Sequence, residues 1–323
     1  MKTNVAVIYG GRTGEHEVSH RSAKSIVEAI DTDKYKVLHY VISKEGKWSP
    51  RPIQPEPGGN PGVDVVFPVL HGTFGEDGTV QGLLELADLP YVGAGVLASS
   101  ISMDKEMMKR VARERGLPVV DYWIPPQGRV NYTKFENSFP MFVKPANLGS
   151  SVGISKVHNL EELLTAVGLA SSYDRKVIVE RGITGREFEC AVLGNDDPIA
   201  ATPCEILPSR EFYDYEDKYL LDKAGTMIPA DLSPGQTAEM QRLAIECYRA
   251  VECEGMARVD FLLETASDRL YINEINTIPG FTSISMYPKM WEYSGLPMTK
   301  LIDRLIELAL ERHAAKQRLR YSK

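Results

Sequence analysis

Four polar side chains near the end of the chain could together bind a hard metal ion and a charged substrate. Arg258 and Asp260 lie two residues apart, and Glu274 and Asn276 repeat that spacing further along the chain. Residues two apart share one face of a β-strand. Carboxylate and amide oxygens are ligands that Mg²⁺ accepts, and protein-bound Mg²⁺ commonly binds substrate phosphates as well. The spacing predicts a metal site, with ordinary surface salt bridges as the alternative.

The segments that carry these residues have the pattern of a β-hairpin. Residues 258–263 and 269–276 alternate in polarity, and the polar stretch 264–268 joins them. Paired strands would bring all four polar side chains to one surface. These side chains interrupt a strongly apolar context, which favours a built site over a solvated strand face. The apolar residues are Phe261, Leu262, Leu263, Ile272 and Ile275.

Composition limits the class of protein. The chain has 323 residues, 43% of them hydrophobic, which suits two or three domains at about 150 residues each. A net charge of −7 and a pI near 5.5 argue against bulk attraction to nucleic acid or anionic membranes, but allow a local phosphate site. The four cysteines lack CxxC spacing, which indicates reduced, buried thiols of a cytoplasmic protein. We expect no signal peptide and no membrane-spanning segment.

The first part of the chain is typical of a doubly wound parallel sheet. A buried strand at residues 5–9 runs into Gly10-Gly11, a helix is predicted near 19–30, and strands are predicted at 35–43 and 63–70. Dinucleotide binding is only weakly indicated, because the turn lacks G-x-G-x-x-G. Glu15 in this turn suits an ammonium group, with a solvated charge cluster as an equal alternative. His71 opens a Gly-rich loop at a strand end, where open α/β sheets bind ligands.

A second group of residues suits phosphate. An apolar strand ends at Lys144, and a Gly/Ser loop containing Ser150 and Ser151 follows; Lys105 lies in a charged helix over 104–115. Small residues let backbone N–H groups approach phosphate oxygens, and lysine supplies charge. The loop is not a Walker motif, and a plain hairpin turn is equally compatible. The polar, aromatic stretch 211–219 is predicted to be a mobile lid, or alternatively a surface that recognises a partner.

The remaining pattern predicts further elements of a mixed fold. Strands are predicted at 91–93, 119–123, 139–144, 176–180, 190–193 and 199–206, and helices at 81–87, 159–170, 233–253 and 298–319.

Six motifs follow one another along the chain. They are GGRTGEHEVS (10–19), HGTFGEDGTVQG (71–82), MDK (103–105), FVKPANLGSSVG (142–153), YDYEDKY (213–219), and ARVDF with NEINTIPGFTS (within 257–283). Together they resemble the D-alanine–D-alanine ligase family of the ATP-grasp superfamily over essentially the whole chain. Each is modestly specific, but the six in this order are highly specific. The resemblance implies an α/β protein, α+β in parts, with domains at 1–103, 104–188 and 189–323. The first would contain the doubly wound sheet, and ATP would lie between the other two.

The resemblance also implies a nucleotide and metal site. Its phosphate contacts would be Lys105, Lys144 and the loop with Ser150 and Ser151; its base and ribose contacts Glu180, Arg181, Ile183 and Glu187; and its metal ligands Asp260, Glu274 and Asn276. Two Mg²⁺ ions are implied, with Mn²⁺ as a possible substitute.

The implied substrate site surrounds the first turn. Glu15 would hold the ammonium of the first D-alanine, and His71 would also contact substrate. The second substrate's carboxylate would be held by Ser285 and the backbone of Met286, where leucine is common in the family. The implied catalytic groups are Arg258 and the Gly280 N–H at the oxyanion, Ser150 and Tyr219 linked to Glu15, and Lys218 of the lid.

The implied activity is ATP-dependent ligation of two D-alanines through an acyl phosphate, for peptidoglycan precursors, cell-wall biogenesis and cell shape. The implied protein is a cytoplasmic homodimer with D-alanine and ATP as its partners, without nucleic acid or membrane. A D-alanine–D-lactate or other D-amino-acid ligase on the same fold, a non-catalytic nucleotide-binding module and a dinucleotide oxidoreductase are the alternatives. The Lys218-Tyr219 pair favours dipeptide synthesis, because many depsipeptide-forming relatives place a histidine in the lid.

Overall fold

Three β-sheets follow one another along the chain, each covered by helices. The computed structural model describes residues 2–125, 138–150, 152–207, 225–282 and 284–321. None of the helices in these ranges combines the length and apolarity that crossing a bilayer requires.

The first sheet has the predicted parallel arrangement. Strand β1 (Thr3–Gly10) pairs in parallel with β2 (Tyr35–Ile42) on one side and β4 (Val65–Val69) on the other, and β3 (Trp48–Ser49) is an antiparallel edge. Every residue of β4 is buried, as expected for a strand covered on both faces. The helices of this part are α1 (His16–Ala29), α2 (Thr79–Leu86) and α3 (Val96–Met103).

The second sheet is small and antiparallel. Its strands are β5 (Tyr122–Trp123), β6 (Met141–Pro145), β7 (Ser155–Val157) and β8 (Val177–Arg181), in the order β5-β8-β6-β7. Helix α4 (Lys105–Glu114) precedes it, and α5 (Leu160–Ser171) packs against it. Asn159 caps α5, because its side chain accepts the Glu162 N–H.

The third sheet carries the hairpin. Its main order is β12-β11-β9-β13-β14, with β10 paired to β9. The strands are β9 (Gly185–Gly194), β10 (Ile199–Ala200), β11 (Cys204–Leu207), β12 (Gly225–Met227), β13 (Gly255–Glu264) and β14 (Arg269–Asn276). Helix α6 (Pro234–Ala250) starts with a Ser233/Gln236 capping box. Helices α7 (Met286–Tyr293) and α8 (Met298–Lys316) follow the hairpin.

Three predicted strands differ from the structure. Residues 91–93 form only one isolated bridge, between Tyr91 and Val66, because the chain turns away at Gly93. The strand predicted at 119–123 is reduced to β5, and Val119 instead bridges to Ile272 of β14. The segment predicted at 199–206 is split into β10 and β11, and Pro203, which has no N–H for a ladder, lies in the break.

The first and third sheets share one apolar core. It joins Val5 and Phe67 of the first sheet to Phe281 after β14 and to Leu301 and Leu305 of α8. The amphipathic pattern predicted for the last helix is confirmed, because its apolar face is buried. The second sheet has a separate small core around Val143, Leu163 and Val179, among others.

A buried arginine fixes α8 to the first part of the chain. Arg312 donates to the carbonyls of Gly93 and, at 2.9 Å, Tyr91, and its guanidinium carbon lies 4.4 Å from the Tyr91 ring centroid. The carbonyls lie between α2 and α3, in the segment where Tyr91 bridges to Val66 of β4, so this one side chain ties the C-terminal helix to the first sheet.

We expect Arg312→Met to lower the free energy of unfolding by about 2–4 kcal/mol, because both carbonyls would lose their buried donor. Chemical denaturation followed by circular dichroism measures the change. Arg304→Met, on the same helix, removes an exposed arginine paired with Glu307 and Glu311 and should change stability by less than about 1 kcal/mol. Equal effects of the two substitutions would contradict a special role for Arg312.

Candidate active site

The hairpin register brings the four polar residues together. Across β13 and β14, Arg258 pairs with Asn276 and Asp260 pairs with Glu274. The predicted hairpin and its shared polar face are confirmed. The register shifts directly after Asp260, so that Asn273 is an extra residue in β14. This bulge lies directly before Glu274, where the apolar part of β14 ends and its polar residues begin.

Arg258 is buried between two carboxylates. Its Nε and Nη2 atoms each donate to Asp260 at 2.6 Å, and Nε lies 3.3 Å from the Glu189 carboxylate on β9. Burial lowers the pKa of Arg258, but these carboxylates outweigh burial and hold it well above its ordinary value. Glu189 shares a strand face with Glu187, two residues earlier on β9, but that local spacing does not indicate that Glu189 would contact Arg258.

The donor set of the hairpin suits a hard cation that keeps other oxygen ligands. Asp260 and Glu274 supply carboxylates, and the Asn276 side-chain oxygen accepts the Ile278 N–H at 3.0 Å. In the ranges that the structure describes, no group of three His, Cys, Asp or Glu side chains could by itself hold a metal. Two carboxylates and an amide therefore fit Mg²⁺ supplemented by water and phosphate oxygens rather than Zn²⁺.

A cavity of about 420 Å³ lies between the second and third sheets. Its walls contain most of the residues predicted to bind nucleotide, together with one predicted metal ligand. These are Lys105, Lys144, Ser150, Glu180, Arg181, Ile183, Glu187 and Glu274. Ser151 lies outside the described residues. Lys105 donates to the Leu148 carbonyl at 2.8 Å and lies 3.2 Å from Glu274, so it joins the Gly/Ser loop to the hairpin.

A buried trio of charges lies at this cavity, and two of its members, Lys144 and Glu180, line it. The Glu180 carboxylate lies 2.7 Å from the Lys144 amine and 3.1 Å from the Lys109 amine. Burial alone would raise the pKa of Glu180, but the two lysines lower it to about 2. Lys109 also donates to the carbonyl of the bulge residue Asn273 at 3.0 Å. Sequence reasoning missed Lys109, although its position four residues after Lys105 places both on one helix face.

The Arg181 guanidinium contacts residues outside the charge trio. Its guanidinium pairs with Glu264 at 2.6 Å and donates to the Tyr271 hydroxyl at 3.2 Å. Arg181 nevertheless lines the cavity beside Ile183, in the connection from β8 to β9.

Glu15, in the first turn, contacts the Gly/Ser loop that contains Ser150. It is the N-cap residue of α1, and its carboxylate accepts a hydrogen bond from the Ser150 hydroxyl. Only glycine fits at position 72, because φ is 75° and a Cβ would lie 2.6 Å from the Glu15 carboxylate. The structure thus brings together Glu15 and Ser150, which are 135 residues apart.

A second carboxyl group lies beside Glu15. Glu76 is buried and accepts the Gly72 N–H at 2.8 Å. Burial raises the pKa of Glu76 well above its ordinary value, and the charge of Glu15 adds to the effect. Burial next to a second carboxyl group therefore disfavours the charged form of Glu76. Sequence reasoning missed Glu76, although the polar loop after His71 contains it.

The remaining predicted residues lie around the segment after β14. His71 is buried, which lowers its pKa, and its Nδ1 atom lies 3.0 Å from the Ile278 carbonyl. Ser285 is the N-cap of α7, its hydroxyl accepts the Thr282 N–H at 3.0 Å, and a Cβ at Gly280 would lie 2.8 Å from that hydroxyl. Met286 follows as the first residue of α7. The predicted lid, with Lys218 and Tyr219, lies outside the described residues.

Comparison with known proteins gives one consistent result. The family model of the D-ala D-ala ligase C-terminus matches residues 105–307, and that of the N-terminus matches 4–61 and 51–94. A D-alanine–D-alanine ligase of Solibacter usitatus (strain Ellin6076) is 68% identical over 332 aligned positions, which cover 100% of both chains.

Solved structures agree. The D-alanine–D-alanine ligase from Coxiella burnetii superposes with a TM-score of 0.89 at 41% identity, covering 98% of this chain and 96% of that one. The VanG D-Ala:D-Ser ligase from Enterococcus faecalis superposes with a TM-score of 0.84 at 34% identity, covering 96% and 100%.

The lowered pKa of Glu180 predicts a pH-dependent contribution to stability. Its pKa falls from 4.5 to about 2 on folding, so the carboxylate stabilises the fold above about pH 4.5 and loses this effect as the pH falls toward 2. Glu180→Gln cannot ionise. We expect it to be less stable than the wild type by about 3 kcal/mol near neutrality, with the difference shrinking below about pH 4.5.

Urea unfolding of both proteins between neutral and acidic pH measures that difference. Glu239→Gln is the matched control, because Glu239 forms an exposed pair with Arg242 and should show a small difference that changes little over the same range. A deficit for Glu180→Gln that stays constant down to pH 3 would contradict the charge trio.

Proposed function

The chain belongs to the D-alanine–D-alanine ligase family, and we propose that it joins two D-alanines to D-alanyl-D-alanine at the expense of ATP. The observation that carries this proposal is the cavity between the second and third sheets. Its lysines and the Glu274 carboxylate meet the Glu15–Ser150 pair through one loop, Leu148 to Ser150. A nucleotide phosphate site and an ammonium site therefore adjoin each other.

The chemistry requires both sites. A carboxylate does not react with an amine directly, because its oxygen is a poor leaving group. Transfer of the γ-phosphoryl group of ATP to the carboxylate oxygen of the first alanine gives an acyl phosphate and ADP. The neutral amine of the second alanine then attacks the carbonyl carbon and the C–N bond forms. Phosphate leaves with the former carboxylate oxygen and with the one proton that the nitrogen loses, as hydrogen phosphate.

The phosphate side of the proposed site uses residues from two sheets. Lys105 and Lys144 would neutralise charge on the moving phosphoryl group, and the backbone of the loop with Ser150 and Ser151 would cover it. Asp260, Glu274 and Asn276 would hold two Mg²⁺ ions, with Mn²⁺ as a substitute; when bound, such ions neutralise the phosphate oxygens. The oxygen-only donor set of the hairpin supports this assignment. Glu180, Arg181, Ile183 and Glu187, which line the cavity, would contact base and ribose.

The acyl-transfer side uses the first turn and the segment after β14. Glu15 would hold the first ammonium, near His71, and Ser285 with the Met286 backbone would hold the second carboxylate. The Arg258 guanidinium and the Gly280 N–H would stabilise the oxyanion, where losing one such donor typically costs about 10²–10³ in rate. Lys218 and Tyr219 would close the lid against water, which would otherwise hydrolyse the acyl phosphate.

The family membership also supports a wider biological assignment. We assign the product to peptidoglycan precursor synthesis in the cytoplasm, the active form to a homodimer, and the domain boundaries to residues 1–103, 104–188 and 189–323. The three sheets fall one into each range, apart from the first residues of β9.

Loss of Glu274 tests the metal and phosphate site. We expect Glu274→Gln to abolish dipeptide formation with an unchanged circular dichroism spectrum, because the amide removes the charge that would bridge two cations and that pairs with Lys105. Glu246→Gln changes an exposed carboxylate of α6 that pairs with Arg242 and should keep wild-type turnover. Near-normal turnover of Glu274→Gln would contradict the assignment of Glu274 to the metal and phosphate site.

A competition experiment tests the second substrate. With equal D-alanine and D-lactate at neutral pH, we expect mostly dipeptide, because the lid carries Lys218-Tyr219 and no histidine occurs between His158 and His313. A histidine cation there would attract the lactate carboxylate and disfavour a protonated amine. D-Serine and L-alanine complete the panel, since the Enterococcus faecalis neighbour is a D-Ala:D-Ser ligase. Predominant depsipeptide, or ADP release independent of D-alanine, would overturn the proposed reaction.

A further inference from the structure

His71 and Ser22, two residues of the first domain, hydrogen-bond to the segment that contains Gly280. The His71 Nδ1 atom lies 3.0 Å from the Ile278 carbonyl, and the Phe281 N–H donates to the Ser22 hydroxyl at 3.2 Å. The Ser22 hydroxyl also lies 3.0 Å from His71 Nε2. The three contacts close a ring around Pro279-Gly280, with one bond on each side of the two residues.

The direction of each hydrogen bond follows from the chemistry of the groups. A carbonyl only accepts, so His71 Nδ1 carries the hydrogen that Ile278 receives. Burial lowers the pKa of His71, so its imidazole is neutral and Nε2 is an acceptor. The Ser22 O–H therefore donates to Nε2, and its oxygen is left to accept the Phe281 N–H. The Ser22 hydroxyl is therefore both donor and acceptor, and each polar group in the three contacts has a hydrogen-bond partner.

Burial makes this ring costly to break. Ser22 is 0% exposed, and His71, Ile278 and Phe281 are each 4% exposed or less. Without water to replace a lost partner, each broken bond would leave a buried polar group unsatisfied. Phe281 also packs edge-on against Phe67, with ring centroids 6.1 Å apart, so the peptide that follows Gly280 is held by packing and by hydrogen bonding.

We propose that Ser22 is a positioning residue for the oxyanion donor of the ligase reaction, acting through His71 and Phe281 to fix the Gly280 backbone. This inference rests on the proposed function, which assigns the Gly280 N–H to the oxyanion. Helix α1 then has two tasks. Its N-cap residue Glu15 holds the first ammonium, and Ser22, two turns later, sets the donor that the same substrate's carbonyl meets in the transition state.

Ser22→Ala tests the proposal by kinetics. It removes the donor to His71 and the acceptor for Phe281, so the Gly280 N–H should move while the nucleotide cavity stays intact. We expect kcat for dipeptide formation to fall roughly 10- to 100-fold, in line with the cost of small misplacements at a reacting centre. The KM for ATP should change less than about 3-fold, because uniform binding is untouched. A merely structural role would lower the melting temperature without this selective loss of kcat.

A matched control exists in the same domain. Ser99 is also a helical serine with 0% exposure, and its hydroxyl has no hydrogen-bond partner among the described residues. Ser99→Ala should keep wild-type kcat. Ser22→Thr restores a hydroxyl and should recover part of the lost kcat. A kcat for Ser22→Ala within about 2-fold of that for Ser99→Ala, both measured below their melting temperatures, would overturn the proposal.

The tautomer of His71 provides a readout that needs no activity. In the wild type, ¹⁵N NMR of labelled histidine at neutral pH should show His71 neutral with its hydrogen on Nδ1. In Ser22→Ala the Nε2 resonance should shift, because it loses its donor, while in Ser99→Ala it should not. A wild-type His71 protonated on Nε2 would overturn the ring. Wild-type protein that forms no dipeptide would overturn the proposed function, and the tautomer would still decide whether the ring exists.

Discussion

The guanidinium of Arg258 must stay charged inside the protein, and the third sheet is arranged to allow this. The register of β9 and β13 places Glu189 directly opposite Asp260, so carboxylates on two strands flank one cation. Removing one partner of such a buried pair costs about 3–5 kcal/mol, because the other charge is left uncompensated. The second carboxylate has a specific value here. If Asp260 turns to a metal ion, Glu189 still pairs with Arg258 and keeps it in the sheet.

The lysines at the cavity between the second and third sheets also need carboxylates to balance their charge. Lys144 and Lys109 share Glu180, and Lys105 lies beside Glu274. These cations are therefore compensated by protein carboxylates before any phosphate arrives. Under the proposed function, nucleotide would exchange these partners rather than enter a site of unpaired charges: its phosphate oxygens would contact Lys105, and a metal ion would contact Glu274. The trio around Glu180 differs, since Lys109 is wholly buried and does not line the cavity.

The sequence predicted the parts of the site that depend on local spacing. The hairpin face followed from a period of two and a short polar connection, and the register of Arg258 and Asp260 with Asn276 and Glu274 agrees with it. It did not predict Lys109 with Glu180, Glu189 with Arg258, or Ser22 with Phe281. Those contacts join distant segments, and nothing in the local pattern of either partner marks them. Residues 91–93 pair with β4 only at Tyr91, because the chain turns at Gly93. Arg312, which is distant in the sequence and has no part in the local pattern that predicted a strand, donates to the carbonyls of Tyr91 and Gly93.

The distribution of apolar cores explains which parts of the site can move. Glu15, Arg258 and Gly280 lie on elements of the first and third sheets, which share one continuous core. The second sheet has its own small core, and the cavity lies where it meets the third sheet. Displacing the second sheet would break fewer apolar contacts than separating the other two. The groups proposed for acyl transfer therefore lie on parts of the chain that share a core, whereas Lys144 lies on β6 of the sheet that has its own core.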